Sequence, residues 1–338
     1  MKLQFFQTIF CLALATFVLS NPIKTEVESI EEVSPNNSTN IITISNPFTK
    51  RADIGTYISS IGNFFTTKDV KRNVFYDGIK NLDIYYKKKD KTKKPVVIYI
   101  YGGTWYLGEK SLYSKLGDFL NNNGYVGVIP NYVQFPYGTL DEMIEDICNA
   151  IIWVYNNIGK YNGDNQNMIL LGHSSGAHLS ALTLLKSALR LKGYGSYSIT
   201  KSLPLFQRVV LLNGPYDFDV FSEMSKNTGI TSENSSFESF ASAILGSKLS
   251  CPTDILKSYP DKSLQYLGAN RFNIIHSTKD TVVPIASASG LLDQIHRTSN
   301  IPAFVYVVEG FQHCGITEGV MNGNEYAQYV LRTVLAAA

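Results

Sequence analysis

Met168-Ile169-Leu170-Leu171-Gly172-His173-Ser174-Ser175-Gly176-Ala177 decides how this chain is read. Met168 to Leu171 is continuously apolar, which suits a strand buried on both faces of a parallel sheet. Ala177 to Leu191 continues as a helix, so Gly172 to Gly176 form a strand–turn–helix corner. Such a corner strains the backbone of its central residue and lifts the Ser174 hydroxyl clear of the sheet. Positions two before and two after press on neighbouring backbone, where only a tiny side chain fits. The amides opening the helix aim its positive dipole end at the same spot. The bare Gly-x-Ser-x-Gly pattern arises often by chance. Its setting makes Ser174 a candidate nucleophile, against the alternative of a serine that merely caps the helix.

Outward from this corner, strands alternate with helices. Pro95 to Tyr101 and Tyr125 to Pro130 read as buried strands, with a helix over Leu112 to Asn123 that Gly124 can cap. Leu140, Met143, Ile144, Ile147, Ile151, Tyr155 and Ile158 recur at helical spacing as one apolar stripe. Further strands are expected at Phe206–Leu212, Phe272–His276 and Ala303–Val308, and helices at Ile285–His296 and Glu325–Leu335. Upstream, Asn73–Tyr76 and Leu82–Tyr86 flank Asp77-Gly78, a hairpin signal. The six lysines of Lys87 to Lys94 read as a solvated loop guarding a sheet edge rather than as an anion contact. The alternation predicts an α/β fold with a doubly wound, mostly parallel sheet, in one domain over 47–338. An irregular insert at about 214–261 bears Tyr216, Phe218, Phe221, Phe237 and Phe240. It is expected over the C-terminal edge of the sheet, where open α/β sheets bind ligands.

The 338 residues carry 30 Lys+Arg against 28 Asp+Glu, a net charge of +2. That balance gives no reason to expect nucleic acid or an acidic membrane as partner. An apolar share of 44% suits a chain that buries a core and excludes a disordered or collagenous one. Residues 1–20 have a basic start, an apolar run from Phe5 to Leu19 and compact residues before Asn21. This predicts a cleaved secretory signal peptide and hence a protein that is secreted or held in the lumen of the secretory pathway. The run is short of the ~20 residues of a spanning helix, which disfavours an uncleaved anchor, and no membrane span is expected in the mature chain. Residues 21–46 hold Glu26, Glu28, Glu31, Glu32, Pro35 and a polar cluster, and read as a disordered linker. Asn36, Asn37 and Asn234 each open a glycosylation sequon. Cys11 leaves with the signal; among Cys148, Cys251 and Cys314 one disulfide such as Cys251–Cys314 stays open, without support from spacing.

A serine nucleophile needs a base, and the chain has five histidines. His173 and His178 sit at the corner itself and point elsewhere; a zinc reading of the pair lacks a third ligand. His276 ends a strand, and His296 falls in a helix's last turn, where the dipole favours it. His313 is late, loop-borne and beyond a strand end, so it is the candidate base. Asp280, just past the Phe272–His276 strand, is the candidate that orients it; Asp217 and Asp219 compete. The order Ser174, Asp280, His313 is the one a nucleophile elbow expects. Gly102 and Gly103 let the backbone after Tyr101 turn its N–H groups toward Ser174. The amides of Gly103, Thr104 and Ser175 are therefore the candidate oxyanion donors. Trp105 is a candidate pocket wall.

Taken together, these residues resemble the α/β-hydrolase fold. Within it they are similar to the esterases that include isoprenylcysteine methylesterases, kynurenine formamidases and feruloyl/acetyl-xylan esterases. The likeness runs from about Asn73 to His313. It is carried by Leu82-Asp83-Ile84-Tyr85, Gly102-Gly103-Thr104-Trp105, Phe135-Pro136-Tyr137-Gly138-Thr139, Gly172 to His178, and Thr278-Lys279-Asp280-Thr281. It is greatest for the prenylcysteine methylesterases. By this resemblance Ser174, Asp280 and His313 match the family's nucleophile, acid and base, and Gly103, Thr104 and Ser175 its oxyanion positions. The family's usual His-Gly-Gly is Tyr101-Gly102-Gly103 here. The resemblance implies a serine hydrolase for small-molecule or polysaccharide-linked carboxylic esters, with no cofactor and no metal. Two alternatives stand beside it: a secreted carbohydrate esterase, and a catalytically silent hydrolase-fold binding module.

Overall fold

The computed structural model describes residues 40–45, 54–191, 201–221 and 250–337. The expected signal peptide, the three sequons and 222–249 of the expected insert lie outside the described residues.

The alternation seen in the sequence becomes one sheet because each apolar run pairs with the next through its backbone. The strands are β1 (Ile41–Ile44), β2 (Val70–Asp77), β3 (Lys80–Tyr85), β4 (Lys94–Ile100), β5 (Val126–Pro130), β6 (Gly163–His173), β7 (Arg208–Leu212), β8 (Phe272–Ser277) and β9 (Ala303–Val308). Among the described residues they form a nine-stranded sheet in the order β1-β9-β8-β7-β6-β4-β5-β3-β2. Pairing is parallel from β1 through to β5, and antiparallel where β3 joins β5 and β2 joins β3. Residues Val96 to Ile100, Met168 to Leu171 and Val209 to Leu212 are buried, as continuous apolar runs in a doubly covered sheet should be.

Helices cover both faces: α1 (Ile54–Thr66), α2 (Ser114–Asn122), α3 (Leu140–Asn157), α4 (Ser175–Ala188), α5 (Pro252–Lys257), α6 (Ile285–Thr298), α7 (Gly315–Met321) and α8 (Glu325–Ala336). The start of α3 is set by a capping box, in which Thr139 accepts from the Glu142 amide and Glu142 accepts from the Thr139 amide. Its buried face is the apolar stripe of the sequence, with Met143, Ile144, Ile147 and Ile151 inaccessible to solvent. Gly124 takes φ 89 just beyond α2, the left-handed conformation that ends a helix. The helix expected over Leu112–Asn123 divides into a 3-10 turn, Lys110–Tyr113, and α2. The side chain of Glu109 caps that turn by accepting from the Ser111 amide.

One expectation is corrected. Residues 41–44 of the presumed linker are strand β1, in register from Ile41 opposite Val305 to Ile44 opposite Val308. The β-branched run Ile-Ile-Thr-Ile pairs with the otherwise open edge of β9, and most of its side chains stay exposed. Ladder hydrogen bonds rather than burial hold it, and the short β-branched run is masked by the polar residues around it in 21–46. The helices α1, α5 and α7 also went unassigned. The latter two are short, at 6 and 7 residues, and carry too little periodicity to read.

Candidate active site

Because β4, β6, β7, β8 and β9 run parallel, their C-terminal ends share one edge of the sheet. The loops leaving β4, β6, β8 and β9 carry the candidate residues. Ser174 joins β6 to α4 with φ 54 and ψ −127, a strained conformation for a non-glycine residue. Its amide donates to the Leu212 carbonyl at 2.9 Å, which anchors the corner to β7. The two flanking glycines are sterically required. A Cβ at Gly172 would stand 2.6 Å from Ala177 Cα, and one at Gly176 would stand 2.2 Å from the Ile100 carbonyl oxygen.

The structure brings Ser174, His313 and Asp280 into one line. His313 Nε2 lies 2.7 Å from Ser174 Oγ, and His313 Nδ1 lies 2.7 Å from Asp280 Oδ2. Asp280 Oδ1 accepts from the amides of Val282 and Val283, each at 2.9 Å. Burial pushes the Asp280 carboxyl up, but the adjacent His313 charge and these hydrogen bonds outweigh it and hold the group below its ordinary range. The ionised carboxylate therefore favours the imidazole tautomer with Nδ1 protonated, leaving Nε2 free to take the serine proton. Asp217 and Asp219 do not reach the imidazole; both face Lys257.

The turn after β4 meets this line from the side. A Cβ at Gly102 would stand 2.8 Å from Ser174 Cβ, so the backbone passes directly against the serine. Gly103 has φ 139, Thr104 φ 52 and Trp105 φ 64. Three successive residues with positive φ are unusual, and a β-branched threonine there is strained. Among the described residues the amides of Gly103, Thr104 and Ser175 donate no hydrogen bond. They are the groups that the sequence assigned to an oxyanion. Trp105, expected as a pocket wall, is only 1% exposed. Its indole N–H donates to His178 Nδ1 at 3.1 Å, and its amide to Ser175 Oγ at 3.3 Å.

The remaining histidines have other partners. His178 Nε2 donates to the Ser250 carbonyl at 2.7 Å, and His173 Nε2 to the His313 carbonyl at 3.0 Å, so the two rings do not converge. Burial lowers the pKa of each to about 4. His276 is buried at the end of β8, and His296 reaches the Ala303 carbonyl. Among the described residues no group of three or more His, Cys, Asp or Glu is arranged to hold a metal ion. Cys148, Cys251 and Cys314 are free thiols, so the Cys251–Cys314 bridge does not form. Burial pushes all three thiols up, Cys148 to about 12. Sequence reasoning missed Asn213, whose side chain also touches the His313 carbonyl; a lone Asn after a strand carries no signal of that.

A doubly wound, mostly parallel sheet with a serine on a strained strand–helix corner, backed by a histidine and an aspartate from later loops, defines an α/β-hydrolase. Residues 82–295 match the BD-FAE family, and the chain belongs to that family. A probable isoprenylcysteine alpha-carbonyl methylesterase of Oryza sativa subsp. japonica is 29% identical over 259 residues, 76% of this chain and 60% of the relative. The isoprenylcysteine alpha-carbonyl methylesterase of Arabidopsis thaliana is 30% identical over 249 residues, 64% of this chain and 57% of the relative. The chain thus spans about 60% of the length of these curated relatives. In structure it is similar to esterase B from Lactobacillus rhamnosis, with a TM-score of 0.62 at 17% identity, over 83% of this chain and 92% of that one.

Proposed function

We propose that the protein is a serine carboxylic-ester hydrolase acting through an acyl-enzyme. The observation that carries this is the continuous hydrogen-bonded line from Asp280 through His313 to Ser174. Ser174 Oγ attacks the ester carbonyl carbon while His313 Nε2 takes its proton. The amides of Gly103, Thr104 and Ser175 stabilise the resulting oxyanion. Collapse of the tetrahedral species expels the alcohol, which leaves with the proton from His313. Water, activated by the same imidazole, then releases the acid and restores Ser174. Asp280 keeps the ring oriented and stabilises its charge in both halves.

Likeness to the two methylesterases supports a methyl ester of a prenylated cysteine as the substrate. A polysaccharide-linked acetyl or feruloyl ester is the competing class. A secreted or secretory-pathway location is supported by the first 20 residues of the sequence, and glycosylation by the sequons. Among the described residues no helix is long and apolar enough to cross a membrane.

Fluorophosphonate labelling tests the nucleophile. The wild-type protein should label and Ser174→Ala should not, while its turnover of p-nitrophenyl acetate falls on the order of 10^5 to 10^6-fold. Labelling that survives the substitution refutes the assignment. Methanol release from a prenylcysteine methyl ester, set against acetate release from acetyl-xylan, decides the substrate class. A folded protein inert to both and unlabelled would be the binding module instead.

A further inference from the structure

The His313 imidazole must meet Ser174 and Asp280 at once, yet it hangs from the loop between β9 and α7. We infer that His173 and Asn213 are positioning residues that hold this loop by a single atom, the main-chain carbonyl oxygen of His313. The inference rests on the proposed serine-hydrolase reading and deepens it.

Two side chains donate to that oxygen: His173 Nε2 at 3.0 Å and Asn213 Nδ2 at 2.8 Å. A carbonyl oxygen has two lone pairs, and here both are engaged. All three residues are buried, Asn213 almost completely. The orientation of the Asn213 amide follows from its other contacts. Its Oδ1 accepts from the Ser277 amide at 3.1 Å, an unambiguous donor, so Nδ2 is the atom that faces His313. Asn213 has φ 48, a left-handed conformation that asparagine tolerates better than most residues. Its own amide donates to the Ile275 carbonyl at 2.9 Å. Its side chain is thus anchored by β8 and presented to the His313 loop. His173 faces a carbonyl through Nε2, so Nε2 carries its proton. Its ring centre lies 5.2 Å from that of His313. Burial keeps His173 neutral, so His313 can accept a proton without a second cation beside it.

The arrangement couples base and nucleophile through neighbouring residues. Leu212 accepts from the Ser174 amide, and the next residue, Asn213, holds the His313 carbonyl. His173, beside Ser174 in sequence, holds the same oxygen. The strand ends that set the hydroxyl therefore also set the ring, and relative placement is kept even if the sheet edge shifts. Other hydrogen bonds within this region, such as Lys279 N–H to the Phe311 carbonyl at 3.1 Å, restrain the loop short of His313 itself.

The test is Asn213→Asp. It is isosteric, tolerates the left-handed backbone and still accepts from Ser277, but sets an oxygen against the His313 carbonyl. We expect kcat on p-nitrophenyl acetate to fall by about 100-fold, the scale of a 1 Å misplacement, with KM within about twofold. Asn213→Gly, compatible with φ 48, removes the donor without the repulsion and should lose less. For the second donor, His173→Gln keeps an N–H and should retain at least tenfold more kcat than His173→Leu. The downfield proton resonance of the His313–Asp280 hydrogen bond, sharp in the wild type, should broaden or shift in Asn213→Asp while far-UV circular dichroism is unchanged. A kcat within twofold of wild type, or an unperturbed resonance in Asn213→Asp, overturns the inference. A wild-type protein that neither hydrolyses esters nor labels refutes the serine-hydrolase reading instead, and the resonance still decides whether the carbonyl clamp exists.

Discussion

Tyr101 stacks on Tyr132 with ring centroids 4.8 Å apart, and the Tyr132 hydroxyl donates to the Tyr101 carbonyl at 2.7 Å. Tyr113 covers the other face at 5.5 Å, and the Tyr101 hydroxyl donates to Asn131 Oδ1 at 3.1 Å. This clamped phenol directly follows β4 and precedes the Gly102-Gly103 turn. It stands where the resembled esterases usually carry a histidine, and the stack supplies the turn with a rigid origin.

Removing the stack should therefore be costly and removing the hydroxyl cheap. Tyr101→Ala should destabilise the fold by about 3–5 kcal/mol, as truncation of a buried aromatic does, and reduce kcat with it. Tyr101→Phe keeps both ring contacts, and Asn131 Oδ1 still accepts from the Lys110 amide at 2.9 Å. That variant should lose about 1 kcal/mol and retain turnover within a few-fold. Urea denaturation alongside p-nitrophenyl acetate kinetics separates the two.

Gly176 offers a harsher case. An added Cβ would lie 2.2 Å from the Ile100 carbonyl oxygen and 2.4 Å from that of Tyr101, both main-chain atoms just before the Gly102-Gly103 turn. Gly176→Ala must push β4 and the Ser174 corner apart, at a cost on the order of 3 kcal/mol. A lower melting temperature and loss of fluorophosphonate labelling should appear together. Labelling at the wild-type rate would contradict the contact.

Stability should decline in mild acid. Burial, joined for His173 by the nearby His313, lowers the pKa of His173 and His178 from 6.5 to about 4. The unfolded chain takes up these protons near pH 6.5 and the folded chain only near 4, so the unfolded state binds more protons between them. Their contribution is complete above pH 6.5 and is lost as pH falls toward 4, with a limiting slope of about 1.4 kcal/mol per pH unit for each group. Asp280, held below its ordinary value, keeps its contribution above the usual carboxylate range and loses it at lower pH still. Urea midpoints between pH 7 and 4 measure this, and His178→Gln should make the fall shallower.

A buried ion pair gives a further check. Lys110 donates to Asp83 and, at 2.6 Å, to Asn73 Oδ1, with the Lys110 and Asp83 side chains 2% and 0% exposed. Burial pushes the Asp83 carboxyl up against the pull of Lys110. Lys110→Met strands that carboxylate and should destabilise by about 3–5 kcal/mol. Lys110→Met with Asp83→Leu should cost less than Lys110→Met alone. A double variant weaker than the single would mean that packing, not charge, dominates there.

How far the chain alone could be read differs from residue to residue. The β6–Ser174–α4 corner was readable because apolar continuity, flanking glycines and helical continuation are all local. His313 was reached through its position late in a loop beyond a strand, and Asp280 through a similar place after β8. Strand β1 was misread because an exposed edge strand is held by ladder bonds to β9, some 260 residues away, and buries little of itself. Asn213 carried no signal, because its meaning lies in a carbonyl 100 residues distant.

Local patterning thus settled the α/β class, the corner that bears Ser174 and the order of its partners, since hydrophobic period and backbone sterics act over a few residues. Folding alone set the 2.7 Å contacts of His313, the hold on its carbonyl and the Tyr101 stack. Those depend on which strand ends the parallel pairing makes neighbours, and hydrogen-bond geometry between distant loops is written in no single segment.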